Sequence, residues 1–192
     1  MKIAALVLAA GGSARLGRPK QLLRYQGQSL VRRAGAAALE AGCSPVVVVV
    51  GREHEKIAAE LQECSVRLLP NEAWERGIGT SIRRGVGTLR TCDAIVILVC
   101  DQPHVDQRII RTLIRAQEET RKPIAACAYG RTLGVPALFV RRYFDLLLAL
   151  ADEAGAKSII EAQPNEVAQV AFAKGAIDID TTADFEGLLE LQ

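Results

Sequence analysis

The residues best suited to chemistry lie in four short segments. The first runs Leu8-Ala9-Ala10-Gly11-Gly12-Ser13-Ala14-Arg15-Leu16-Gly17-Arg18-Pro19-Lys20. Adjacent glycines let a backbone turn sharply and lay its N–H groups on phosphate oxygens with no Cβ in the way. Arg15 adds a planar fork for phosphate and Lys20 a compact positive charge. The plainer alternative is a strand–helix turn with incidental basic residues. Two better-known phosphate loops do not fit. Glycines at 11, 12 and 17 miss the dinucleotide spacing, and Arg18-Pro19-Lys20-Gln21 lacks the Lys-Ser/Thr pair that would hold magnesium in a Walker loop.

The second segment is Asp101-Gln102-Pro103, directly after the apolar run Ala94–Cys100. An aspartate there is a poor core residue and a good oxygen donor for a hard cation such as magnesium, which takes one or two carboxylates plus substrate phosphates. A turn or helix cap is its ordinary alternative. The third segment is Asn71-Glu72-Ala73-Trp74-Glu75-Arg76-Gly77-Ile78-Gly79-Thr80-Ser81-Ile82. It reads as a glycine-rich loop entering a helix capped by Thr80 or Ser81, with free N–H groups at the helix start. The fourth is Asp178-Ile179-Asp180, where a strand period of two puts both carboxylates on one face.

These segments need a scaffold that gathers them. Apolar runs at Ile3–Ala9, Val46–Val50, 66–69, 94–100, 124–127 and 137–140, with weaker ones at 167–172 and 176–179, alternate with helical patterns at 29–41, 53–63, 80–90, 106–121, 142–150, 156–162 and 182–191. Strands without a polar face are covered by helices on both sides. The alternation therefore predicts a three-layer α/β domain with a doubly wound, mostly parallel sheet. Such sheets bind ligands at the carboxyl ends of their strands, where the first two segments fall.

Composition limits the possibilities. With 192 residues, 49% hydrophobic and 24% charged, the chain is expected to fold as one domain, with residues 1–105 and 106–192 as its two halves. No apolar run reaches the ~20 residues of a membrane span. Net charge is +2, but residues 1–39 hold seven basic residues and no acid, leaving a net −5 on the rest. Such local charge suits a small polyanion rather than nucleic acid, with Arg32 and Arg33 assigned to a solvated helix face. Five cysteines with no C-x-x-C spacing disfavour zinc and disulfides; Cys100 and Cys127 read as small core residues in strands. The apolar start Lys2–Ala10 imitates a secretory signal but is short and singly charged, so a cytoplasmic location is expected.

The thirteen residues Leu8–Lys20 resemble the signature L-A-[AG]-G-x-S-x-R-[MFL]-G-x-x-K of the nucleotidyltransferases that load a nucleotide onto the molybdenum cofactor. The resemblance continues in Asn71–Ser81, in Asp101-Gln102-Pro103, in Gly134-Val135-Pro136 and in Asp178–Phe185. It implies a nucleotide-diphospho-sugar transferase-like fold of the GT-A type. It also implies a loop of Leu8, Ala9, Ala10, Gly11, Gly12, Ser13, Arg15 and Lys20 around a triphosphate, with Gly77, Gly79, Thr80 and Ser81 beside the base. Magnesium would sit on Asp101 and Asp180, with Asp178 as the substitute for the latter, and Lys20, Arg15 and Asp101 would carry catalysis.

Ala10 gives the cytidylyl-type form of the loop, against a second glycine in the guanylyl-type form, which implies CTP. The molybdenum cofactor would be the acceptor, a molybdenum hydroxylase or its chaperone the partner, with no nucleic acid or membrane involved. Thr182 replaces that family's proline and Ala183 its glutamate, while Glu153 and Lys157 replace an aspartate and an arginine on the acceptor side. Two alternatives stand beside this reading: a nucleotidyltransferase for a sugar phosphate or phospho-alcohol, and a carrier that binds the cofactor without chemistry. His54 and His104 are assigned no catalytic role.

Overall fold

The computed structural model describes residues 1–12 and 16–190. Among them a seven-stranded sheet is built from β1 (Ile3–Ala9), β4 (Val46–Val50), β5 (Arg67–Pro70), β6 (Ala94–Val99), β7 (Ile124–Tyr129), β8 (Thr132–Val140) and β9 (Val167–Ala171), in the order β5-β4-β1-β6-β8-β7-β9. Only β8 runs against its neighbours, so the carboxyl ends of the other six share one edge. A separate two-stranded hairpin joins β2 (Arg24–Tyr25) to β3 (Gln28–Ser29).

The pleat of β1 shows why the layers form. Ala5, Val7 and Ala9 face one core with α1 (Leu30–Glu40), α2 (His54–Glu60) and α4 (Gln107–Thr120). Ala4, Leu6 and Leu8 face a second core with α3 (Ile78–Thr88), α5 (Phe144–Leu148) and α6 (Ala156–Ala162). Leu6 and Ile97 are fully buried, and truncating either to alanine would cost about 2–5 kcal/mol. A third, smaller cluster seats Ile179 with Tyr25, Leu30 and the C-terminal helix α7 (Thr182–Glu190).

Helix ends follow sequence chemistry where capping residues are present. Ser29 Oγ accepts the N–H of Arg32 at the start of α1, and Asp106 accepts those of Arg108 and Ile109 at the start of α4. Gly42, just beyond α1, has φ +90°, a backbone region that glycine enters without strain.

The structure departs from expectation at several places. Residues 176–179 form no strand: β9 is the edge of the sheet, and the chain after it crosses the strand ends as an irregular link. The alternation argument for Asp178 and Asp180 therefore has no strand beneath it. The expected helix at 142–150 is a 3-10 turn followed by the short α5. Cys100 lies one residue past β6, although both it and Cys127 are buried. Arg32 and Arg33 are half-buried rather than solvated: Arg32 reaches Glu63 and the Glu60 carbonyl, and Arg33 lies 4.9 Å from the Tyr25 ring centroid.

Candidate active site

The strand order reverses between β1 and β6, and the loops after these two strands open a crevice there. After β1 the chain returns through Pro19 into a 3-10 turn, Lys20–Leu22. Gln21 is buried, and its amide donates to the carbonyls of Ala9 (3.0 Å) and Gly11 (2.7 Å), tying the returning loop to the strand end. Sequence reasoning missed Gln21, because a buried glutamine beside a cationic motif has no periodic signal.

This tie aims Lys20 across the crevice. Its Nζ donates to Asp101 Oδ2 at 2.6 Å, to Asp180 Oδ1 at 2.9 Å and to the Ile179 carbonyl at 3.4 Å. Residues 81 and 160 positions away thus meet on one ammonium. The Lys20 side chain is only 16% exposed. Burial alone would lower its pKa, but the charges and hydrogen bonds of Asp101 and then Asp180 outweigh this and raise it above the ordinary lysine value. A raised lysine pKa stabilises the folded state below the unfolded value of 10.5, and the contribution fades only as alkali titrates through the higher folded value. At neutral pH the Lys20 ammonium is therefore fully charged.

Each carboxylate has its own support. The Asp101 carbonyl accepts the Ile179 N–H at 3.1 Å, fastening the β6 end to the link that carries Asp180. Next to it Gln102 Nε2 donates to the carbonyls of Val135 (3.1 Å) and Gly175 (2.8 Å). At the entry of α7 the Asp184 carboxylate accepts the N–H groups of Asp180 and Thr181, and Thr181 Oγ1 accepts the N–H of Asp184. That reciprocal cap rests on Thr181 and Asp184, so the unusual residues at 182 and 183 leave the entry intact. Asp178 is exposed on the same link; burial, then the nearby charges of Asp180 and Asp101, push its carboxyl above the ordinary value.

The crevice opens into a cleft of about 340 Å³ lined in part by Ala10, Gly11, Gly12, Lys20, Trp74 and Asp101. Leu8, Gly77 and Ser81 also reach it. Gly11 has open space where a side chain would stand, whereas a Cβ on Gly12 would meet the Trp74 ring at 2.8 Å. Gly51, after β4, leaves room for the same indole. Trp74 is thus laid across two glycines as one wall of the cleft. Ala9 points into the core, and Ser13 and Arg15 lie outside the described residues.

The third motif is built differently from its sequence reading. Gly77, not Thr80 or Ser81, is the N-cap of α3, and no side chain caps it. Both hydroxyls instead accept the Asn71 amide, at 2.9 and 3.0 Å, and Thr80 Oγ1 lies within hydrogen-bonding distance of the carbonyls of Gly77 and Ala73. Asn71 opens the segment picked out by its spacing, but the sequence assigns it no role. Nor is the helix start wholly open to an anion, since the Gly79 N–H donates to the Asp152 carbonyl at 2.7 Å. A Cβ on Gly79 would stand 2.0 Å from the Ala151 carbonyl oxygen. These glycines let the loop lie against residues 151–154. Gly79→Ala is expected to destabilise the chain by about 1–3 kcal/mol, seen as a lower urea midpoint, because backbone rather than a pliable side chain must yield.

Lys157, in the first turn of α6, is exposed and 3.6 Å from Glu161. His54 opens α2 at the surface and does not line the cleft. Among the described residues no three acidic, histidine or cysteine side chains gather as a self-sufficient metal centre. The donors are the two carboxylates already sharing a cation, Lys20, and that donor set suits a hard divalent ion completed by water and phosphate.

Residues 5–167 match the model of the MobA-like NTP transferase domain. The chain belongs to that family. Among MobA-like relatives, a nicotine blue oxidoreductase of Paenarthrobacter nicotinovorans is 33% identical over 129 residues, covering 67% of this chain and 62% of its own. A probable molybdenum cofactor guanylyltransferase of Opitutus terrae is 31% identical over 134 residues, with coverages of 67% and 62%. This chain thus spans 62% of the length of each. The crystal structure of Rv0371c from Mycobacterium tuberculosis H37Rv superposes with a TM-score of 0.84 at 28% identity, covering 99% of this chain and 98% of that one. A manganese complex of the same protein gives 0.80 at 26% identity, covering 99% of both.

Proposed function

We propose that this MobA-like protein is a divalent-metal-dependent nucleotidyltransferase that moves CMP from CTP to the phosphate of the molybdenum cofactor, with release of pyrophosphate. The observation that carries the reading is the meeting of Lys20, Asp101 and Asp180 at one end of a cleft walled by Gly11, Gly12 and Trp74. The guanylyltransferase relative supports the acceptor, and the manganese complex of Rv0371c supports a divalent ion. Ala10, which lines the cleft, supports CTP over GTP only through the loop type it belongs to. Residues 1–105 supply most of the nucleotide side and 106–192 the acceptor side, with Asp180 crossing between them.

Phosphoryl and nucleotidyl transfers depend mainly on positioning and charge neutralisation. Asp101 and Asp180 would hold the magnesium, which when bound would neutralise the triphosphate and the charge developing at the α-phosphorus. Backbone N–H groups at Gly11 and Gly12 take phosphate oxygens. As nucleotide enters, Lys20 exchanges its carboxylate partners for the phosphate tail, and Arg15, which the loop motif assigns to the same phosphates, would add a second positive charge. An oxygen of the acceptor phosphate forms a bond to the α-phosphorus, the bond from that phosphorus to the α,β-bridging oxygen breaks, and pyrophosphate leaves with both electrons along Lys20. The catalytic geometry requires no protein nucleophile.

The oxidoreductase relative favours a second reading, in which the cleft holds a nucleotide-bearing redox cofactor. Pyrophosphate release separates them. With magnesium, CTP and molybdenum cofactor the protein is expected to release one pyrophosphate per cofactor loaded, and chelation by EDTA stops it. Release with a sugar phosphate or phospho-alcohol instead would move the assignment to that acceptor. Binding without release under every nucleotide and acceptor would leave only a carrier or redox protein. A molybdenum hydroxylase or its chaperone would receive the product.

A further inference from the structure

A second groove, of about 430 Å³, lies on the α1/α4 side of the sheet and shares no lining residue with the cleft. Tyr25 and Ile109 are its buried floor, while Arg108 and Lys174 are exposed at its margin. Arg33 reaches it from α1 and His104 from the link after β6. The Tyr25 ring joins these two, with the Arg33 guanidinium carbon 4.9 Å from its centroid and the His104 ring edge-on at 5.9 Å. The acid in the groove, Asp106, is turned to the start of α4, where its Oδ1 accepts the N–H groups of Arg108 and Ile109.

Two observations indicate an anion. Arg33 gives one Nη to the Pro103 carbonyl at 3.2 Å, yet its Nε is buried with no partner among the described residues. A buried guanidinium donor left unpaired is costly, and an anion drawn to the rest of the guanidinium in the groove would offset that cost through its charge. Arg33, Arg108 and Lys174 also line one groove with a single carboxylate already engaged. His104 responds to this field: burial, then the charges of Lys174 and Arg33, hold its imidazole below the ordinary range. Tyr25, Asp106 and Arg108 are the other ionisable groups lining the groove.

We propose that this groove is a second anion site, distinct from the cleft, that takes a phosphate group, either free phosphate or a phosphomonoester. Its placement gives such a ligand leverage. His104 is three residues beyond Asp101, and Lys174 precedes Gly175, whose carbonyl is held by Gln102. A phosphate bridging Arg33, His104 and Lys174 would brace the two segments that carry the carboxylate pair.

The chain has only two histidines, and His54 on α2 serves as an internal control. Imidazole NMR signals of the full metal-free chain are followed while inorganic phosphate replaces chloride at constant ionic strength. The His104 signal is expected to shift saturably, with its apparent pKa rising and His54 unchanged. Arg33→Gln is expected to weaken the response at least tenfold, and Lys20→Met, which alters the cleft, to leave it in place. Should Arg33→Gln not fold, Lys174→Gln at the exposed margin is expected to weaken it severalfold. A stronger response to glycerol 2-phosphate than to phosphate identifies an ester as the ligand, and the reverse identifies the free ion. A shift that chloride reproduces, that does not saturate, or that survives both groove substitutions overturns the site.

Discussion

Asp101→Ala is expected to lower nucleotidyl transfer by about 10³-fold or more while the chain stays folded, since removal of one well-placed charge-stabilising group from such a site commonly costs ~10²–10³ and the proposed mechanism also makes Asp101 a metal ligand. The structural cost is small. Asp101 is 20% exposed, and Lys20 keeps its bond to Asp180 and to the Ile179 carbonyl when the carboxylate is removed. The β6 end stays fastened through the Asp101 carbonyl, which alanine retains. The checks are kcat with saturating nucleotide, the dependence of rate on magnesium, and the urea midpoint. A folded variant that turns over at near the normal rate would remove Asp101 from the metal.

Lys20→Met is expected to produce an equally deep but different lesion. Turnover should fall by about 10²–10³-fold with a raised KM for nucleotide, as expected for loss of a positive charge from the phosphate tail. The metal should respond in the opposite direction. The Lys20 ammonium sits between Asp101 and Asp180, so a divalent ion arriving without nucleotide must displace it. Without the ammonium, two carboxylates face each other at close range and hold a cation more tightly, by about tenfold on the scale of a one-unit electrostatic change. Manganese affinity measured in the absence of nucleotide is therefore expected to rise as catalysis fails. A variant that binds manganese no better than the parent would show that Lys20 does not compete for the site.

The parts of this protein that were legible in its sequence are those governed by periodicity and by glycine. Apolar runs such as Val46–Val50 have no polar face and can only be central strands, so the doubly wound sheet followed from them. Lys20 and Asp101 were legible because each follows such a strand. Asp180 was found by motif, but for a local reason the structure does not bear out: residues 176–179 are a link pinned by Ile179 and not a strand. Alternation over the five residues 176–180, which end in D-I-D, cannot distinguish the two conformations. Thr80 and Ser81 misled for a similar reason. Hydroxyls beside a helix start suggest caps, but Asn71, nine and ten residues upstream, claims both. Gln21, Gln102 and Asn71 hold the site by hydrogen bonds to carbonyls and hydroxyls distant in sequence. A single side-chain amide carries no pattern that reveals its partner before the fold is known.

The central claim is that one divalent ion bridges Asp101, Asp180 and the triphosphate, with Lys20 released onto the phosphates. Crystals grown with manganese and a non-hydrolysable CTP analogue test it through the anomalous signal of the metal. The account predicts one manganese with a carboxylate oxygen from each aspartate at about 2.1 Å, the usual distance for a small hard cation, and Lys20 Nζ moved from the carboxylates to a phosphate oxygen. A manganese bound away from either aspartate, or a nucleotide seated outside the cleft while Lys20 keeps both carboxylates, would contradict it.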